Sequence, residues 1–119
     1  MISFSNRHRY FLYLPPTDMR KSFAGLGGIV KRSLGKELTS GDIFIFINRR
    51  RDRLKLLMWD RSGFVIWYKR LEEGSFELPR HQVGATGIEI RRDDLMLILE
   101  GIELWSVRRR KRYAHPVPD

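Results

Sequence analysis

The side chains in this sequence that could act on a substrate are few and scattered. His8, His81 and His115 fall in three separate stretches, with no pair at i, i+4 and no HExxH arrangement. That spacing is what a helix needs to aim two imidazoles at one zinc ion, so each of the three reads as a surface histidine. Cysteine is absent, which removes thiolate nucleophiles, thiolate metal sites and disulfides together. There is no P-loop and no GxSxG elbow. The run Gly25-Leu26-Gly27-Gly28 lies inside a helical pattern, whereas a phosphate-binding loop joins a strand to a helix. A two-metal nuclease needs several carboxylates converging on ions about 4 Å apart. Asp42, Asp52 and Asp60 sit at the ends of expected strands and could meet there, yet turns place aspartate at strand ends for their own reasons. The expectation is a protein that is not an enzyme, with no catalytic residues, no metal site and no cofactor.

Cations are a different matter. Arg49, Arg50, Arg51 and Arg53 crowd one turn, and Arg108, Arg109, Arg110, Lys111 and Arg112 form an unbroken run near the end of the chain. Together these two stretches account for most of the formal net charge of +9. Charge gathered in this way favours polyanionic partners, nucleic acid first among them. Guanidinium groups splayed around a hairpin tip can hydrogen-bond bidentately to phosphate. Lys55, expected to point outward beside the turn, and Lys69 and Arg70 on the next strand would extend the patch. If about six phosphates were neutralised on duplex DNA, the log–log salt slope would be near about −5. Trp59, Trp67 and Tyr68 are the aromatics that could stack on single-stranded bases, although burial in the core is the simpler expectation for each. Arg20 and Lys21 are a further pair of cations, placed in what reads as the first turn of a helix, where the dipole disfavours them. A local ion pair with Asp18 is the preferred reading there, with phosphate binding as the other.

The elements that must position these groups can be read from period and punctuation. Residues 43–47, 54–59 and 64–70 form three apolar or alternating runs separated by the basic turn 48–53 and by Asp60-Arg61-Ser62-Gly63. They predict a β-meander, the second turn being of type I with Gly63 left-handed. The run 43–47 has no polar position, so it is expected to be central or covered on both faces. An earlier strand, Tyr10-Phe11-Leu12-Tyr13-Leu14, is stopped by Pro15-Pro16. Thr17 then serves as an expected N-cap for a helix over 18–34, whose apolar face is Met19, Phe23, Leu26, Val30 and Leu34. Gly25, Gly27 and Gly28 in that helix imply close approach to the sheet, and Gly35 is its expected stop. After a polar loop over 80–87, Ile88 and Ile90 lead to a second helix over 94–100.

The chain has 119 residues, 42% apolar and 31% charged, which fits one ordinary globular domain. The expected fold is α+β, an antiparallel meander sheet of about four or five strands with both helices packed mainly on one face. Residues 1–107 are expected to form this domain and 108–119 a flexible basic arm, because blocks of like charge repel. No apolar run reaches the ~18 residues of a membrane span. The first residues lack the small-residue cleavage site of a signal peptide.

Several blocks also carry a family resemblance. They are Thr17-Asp18-Met19-Arg20-Lys21-Ser22-Phe23 with Gly25-Leu26, Gly41-Asp42-Ile43-Phe44-Ile45-Phe46, Leu54-Lys55 with Trp59-Asp60, and Gly63-Phe64. Tyr68-Lys69-Arg70-Leu71-Glu72 through Gly74-Ser75-Phe76, and Leu99-Glu100-Gly101-Ile102, complete the series. In this order and spacing the chain resembles the TnpB-type accessory proteins encoded by the second open reading frame of the insertion-sequence family numbered 66. It departs from common members at Met58-Trp59-Asp60 and Leu78-Pro79, where tryptophan replaces Met58 or Leu78 in the usual pattern. The resemblance implies a bacterial protein of transposition, working beside a larger transposase that performs the cutting and joining. It implies no defined biochemical activity. Charge and resemblance together predict a non-enzymatic DNA-binding accessory factor, with docking on the transposase as the alternative. A cytoplasmic location follows, in contact with the nucleoid if DNA is the partner.

Overall fold

The computed structural model describes residues 4–101. The expected arm with Arg108, Arg109, Arg110, Lys111 and Arg112 lies outside the described residues. Seven elements follow in order: β1 (Tyr10–Tyr13), α1 (Phe23–Arg32), β2 (Ile43–Ile47), β3 (Arg53–Trp59), β4 (Phe64–Arg70), β5 (Gly87–Ile90) and α2 (Arg92–Leu99). The sheet order is β4-β3-β2-β1-β5. The meander β2-β3-β4 is antiparallel throughout, with Ile45 opposite Leu56 and Leu56 opposite Trp67. The sheet is nevertheless mixed, which corrects the expected all-antiparallel arrangement: β1 runs parallel to β2, pairing Tyr10 with Ile43, and antiparallel to β5. A parallel pair needs a long crossover, and α1 is that crossover.

The crossover decides where the helices lie. They cover opposite faces, which corrects the expectation that both pack mainly on one face. On one face Leu26 and Val30 of α1 pack with Phe11, Phe44, Phe46 and Leu57. On the other, Leu95, Ile98 and Leu99 of α2 join Leu12, Ile45, Leu56 and Phe76 in a larger cluster. Successive strand residues point to opposite faces, so β2, with all five residues buried, has to be apolar throughout. Fully burying each such side chain contributes about 1.5–3 kcal/mol, which makes β2 the centre of both cores. The first core is aromatic, with Phe11 stacked on Phe44 at 5.9 Å and Tyr13 tilted on Phe46 at 6.0 Å.

The first helix is shorter than expected. It begins after Ser22, not at Asp18, and Thr17 is no cap but a buried residue, 3% exposed. Residues 18–22 therefore run as an irregular strap. The helix stops where Gly35 adopts φ 63°, with the Lys36 amide donating to the Val30 carbonyl at 3.0 Å. A Cβ at Gly27 would meet Leu38 at 3.4 Å, so what approaches this glycine is the loop after the helix and not the sheet. In the β3–β4 turn the left-handed residue is Arg61 (φ 84°) and not Gly63. The second helix starts two residues earlier than expected, with Arg91 as N-cap and Asp94 reaching back to its amide.

Candidate nucleic-acid interface

The basic turn is a built structure. Asn48 organises it: its side-chain carbonyl accepts from the amides of Asp52 and Arg53, each at 3.0 Å. Its side-chain amide donates to the Asp52 carboxylate at 2.7 Å. That last bond is the main reason the Asp52 carboxyl is held below the usual range, with Arg53 and Arg50 adding a smaller pull. Arg51 sits at φ 61°, a left-handed conformation that costs a non-glycine residue about 1–3 kcal/mol. Two backbone bonds fix it there, from its amide to Asn48 at 3.0 Å and from Phe76 to its carbonyl at 2.6 Å. Phe76 is fully buried, so the turn is anchored to the core. Arg49, Arg50, Arg51 and Arg53 are all exposed. Among the described residues none of the four pairs with a carboxylate within 4 Å.

The strap 17–22 lies beside this turn because two bonds hold it. The Thr17 amide donates to the Ile47 carbonyl at 2.9 Å, at the end of β2. Lys55, on β3, donates from Nζ to the carbonyls of Met19 at 2.7 Å and Lys21 at 2.8 Å. Lys55 is only 9% exposed, and its ammonium stands 4.9 Å from the centroid of the Tyr68 ring. The expectation that Lys55 points outward is thereby corrected. A lysine at a core-facing position was expected to escape to water, but two carbonyls of an irregular segment meet it on the sheet.

Arg20 and Asp18 form the expected ion pair. The guanidinium donates through Nε at 3.0 Å and through its terminal nitrogen at 2.7 Å to Asp18 Oδ2, and the Arg20 amide adds a bond to Oδ1 at 2.9 Å. Those bonds, the side-chain ones first, hold the Asp18 carboxyl down at about 2. A carboxyl whose folded pKa lies below its unfolded value stabilises the fold above the unfolded pKa and ceases to do so as pH falls through the folded one. The gap in urea midpoint between the native chain and Asp18→Asn is therefore expected to be full above about pH 5 and to close between about pH 4 and pH 2. A gap that stays constant over that interval would remove Asp18 from the set of groups that hold the strap.

Strap and turn line one open groove of about 650 Å³, to which the strap side contributes residues 16–20, the turn Asn48, Arg49, Arg50 and Arg53, and β4 Tyr68. The structure thus brings Arg20, Arg49, Arg50 and Arg53 together. Arg51 belongs to the same turn but not to the groove wall, and Lys21 is exposed next to it in the strap. Two expected members go elsewhere. Lys69 lies on the α2 face, where Nζ donates to the Leu99 carbonyl at 2.6 Å at the negative end of that helix. Arg70 is exposed and reaches Glu72 at 3.5 Å. Of the three tryptophan and tyrosine candidates, Trp67 packs against the larger core and Trp59 meets Phe64 edge-on at 5.1 Å. Tyr68 is 49% exposed, and it is the one that opens onto the groove. The lining also holds Thr17, whose buried hydroxyl has no hydrogen-bond partner among the described residues.

The aspartates do not converge. The β2–β3 register puts Phe44 opposite Leu57 and Ile47 opposite Leu54, so Asp42 and Asp60 lie at one end of the hairpin and Asp52 at the other. Among the described residues no group of three or more His, Asp or Glu side chains is placed to hold a metal ion. His8 and His81 each bond a backbone carbonyl, of Gly41 and Pro79. No helix among the described residues is long and apolar enough to cross a membrane.

Comparison with known proteins adds a family. The family model described as IS66 Orf2 like protein matches residues 8–109, a span that contains the whole groove. Two relatives come from Sinorhizobium fredii (strain NBRC 101917 / NGR234). The "Uncharacterized protein y4jC" is 33% identical over 116 residues, covering 98% of this chain and 97% of its own. The "Uncharacterized protein y4hO" is 34% identical over 87 residues, covering 73% of this chain and 74% of its own. No solved structure matches.

Proposed function

Because the chain belongs to the family of IS66 Orf2-like proteins, we propose that it is a non-enzymatic accessory protein of insertion-sequence transposition that binds DNA through the groove between strap and turn. One observation carries this reading. Thr17–Arg20, the first part of the block that marks the resemblance, and Arg49, Arg50 and Arg53 of the basic turn are far apart in sequence, and they line the same groove. Arginines on a hydrogen-bonded turn that pair with no carboxylate among the described residues supply phosphate contacts. The cations of residues 108–112 would add to affinity. DNA as partner would bring the protein to the nucleoid.

The test is a gel-shift titration of the full chain against DNA from the ends of its element at two salt concentrations. Binding at low salt is expected, with log affinity falling linearly against log salt at a slope of about −4 to −6. No shift at low salt would end this reading.

A second reading, docking on the element's transposase, has one observation in its favour. Phe23 is 48% exposed at a shallow site of about 380 Å³ that also includes Leu38 and Phe64. Capture of purified transposase without DNA, lost in Phe23→Ser, would favour that role.

A further inference from the structure

We propose that the groove takes an unpaired nucleotide of single-stranded DNA, its base stacked on Tyr68 and its flanking phosphates held by Arg49, Arg50 and Arg53. The inference rests on the DNA-binding reading above and narrows it to a form of DNA.

Three features of the groove point this way. The first is Tyr68 itself. It stands near the end of β4 on the α1 face, where Ile66 packs into the aromatic core. Tyr68 does not join that core and remains 49% exposed. Lys55 lies 4.9 Å from the ring centroid and is itself pinned by two carbonyls, so a fixed cation stands over the ring. An exposed aromatic ring in a basic groove is the arrangement on which bases of single strands stack.

The second is size. A groove of about 650 Å³ lies within the roughly 300–1,000 Å³ range of small-ligand clefts. It admits a base and sugar but not the body of a duplex. In a duplex both faces of each base are covered by its neighbours, so a ring lining such a groove can meet a base face only where pairing and stacking have been given up.

The third is the distribution of charge around the ring. Arg49, Arg50 and Arg53 of the turn line the groove together with Tyr68, so a strand stacked on the ring would have cations within reach of its phosphates. Asp18 also lines the groove, and its charge is met by Arg20 through bonds to both of its oxygens. The groove therefore keeps a net positive character, as tracking of a phosphate backbone requires.

The experiment is fluorescence anisotropy with the full chain against a labelled oligothymidine of about 12 nucleotides and a duplex of the same length at one salt concentration. The variants are Tyr68→Leu, which keeps apolar bulk, and Tyr68→Phe, which keeps the ring; a thermal melt of each checks folding. Tyr68→Leu is expected to weaken single-strand binding by about 10-fold or more and to leave duplex binding within about twofold, while Tyr68→Phe binds as the native chain does. Equal loss on both probes, or no loss on the single strand, overturns the inference and leaves the DNA reading standing. Failure of the native chain to bind either probe overturns both. Should Tyr68→Leu not fold, Tyr68→Phe and Tyr68→Ser decide: ring retained with binding kept, ring lost with single-strand binding lost, is the supporting pattern, and any other overturns it.

Discussion

Replacing Lys55 with methionine is expected to lower the thermal unfolding midpoint by roughly 10–20 °C, a loss of about 2–3 kcal/mol in a domain of this size. The side chain is 9% exposed and its ammonium is shared between the Met19 and Lys21 carbonyls. Exchanging a buried charge for an apolar group of similar volume is often neutral, provided its partners are exchanged too. Here they are backbone carbonyls and cannot be. Methionine would leave two acceptors facing an apolar stem, each costing about 1–3 kcal/mol, partly offset by the desolvation that the ammonium no longer suffers. The strap would then find its acceptors a new partner, most simply water, and move away from β3. Amide hydrogen exchange should quicken over residues 17–22 while β2 stays protected. An unchanged midpoint would mean that the strap is held by Thr17 and its ion pair alone.

The second large effect concerns binding. The double reversal Arg49→Glu with Arg50→Glu should weaken DNA binding by about 100-fold or more at low salt, and should make the salt slope shallower by about 2 as two phosphate contacts vanish. Stability should change by less than about 0.5 kcal/mol, since both side chains are exposed and surface substitutions of this kind are ordinarily mild. The two readouts separate site from scaffold. A variant that melts like the native chain and binds DNA equally well would move the interface off this turn, without touching the family assignment.

How much of this could be read from the sequence depends on the range of the interaction concerned. The meander was legible almost to the residue, because hairpin strands are neighbours in sequence and their alternation and turns are local signals. The strands 43–47 and 64–70 were expected with the bounds they have. The ion pair of Asp18 with Arg20 was legible for the same reason. What failed was non-local. Nothing in the local pattern of Tyr10–Tyr13 says that it inserts between β2 and β5, and a parallel neighbour has no turn to announce it. The uniformly apolar run Ile43–Ile47 did carry a warning, since a strand without polar positions must be covered twice, and two helices on one face could not do that. Thr17 followed by Asp18 has the composition of a cap, but the chain there spends its hydrogen bonds on β2 and on Lys55, so the helix waits for Ser22. Lys55 is expected outward and Tyr68 more simply in the core, and each does the opposite. The charged residue turned inward and the aromatic one stayed half outside, the reverse of what hydropathy alone assigns. Asn48 was seen only as a turn residue; an asparagine four positions before an aspartate was the available signal for its clasp.

That clasp has a consequence for how freely the turn can vary. Asn48 meets the backbone of Asp52 and Arg53 and the carboxylate of Asp52, and Phe76 holds the Arg51 carbonyl. None of these bonds involves a guanidinium. What shapes the turn and what the turn displays are thus assigned to different atoms. Substitutions at Arg49 and Arg50 leave the geometry untouched, while a change at Asn48 would disturb every displayed position at once. Descendants of such a chain can retune their surface charge one residue at a time, against a loop outline that stays fixed.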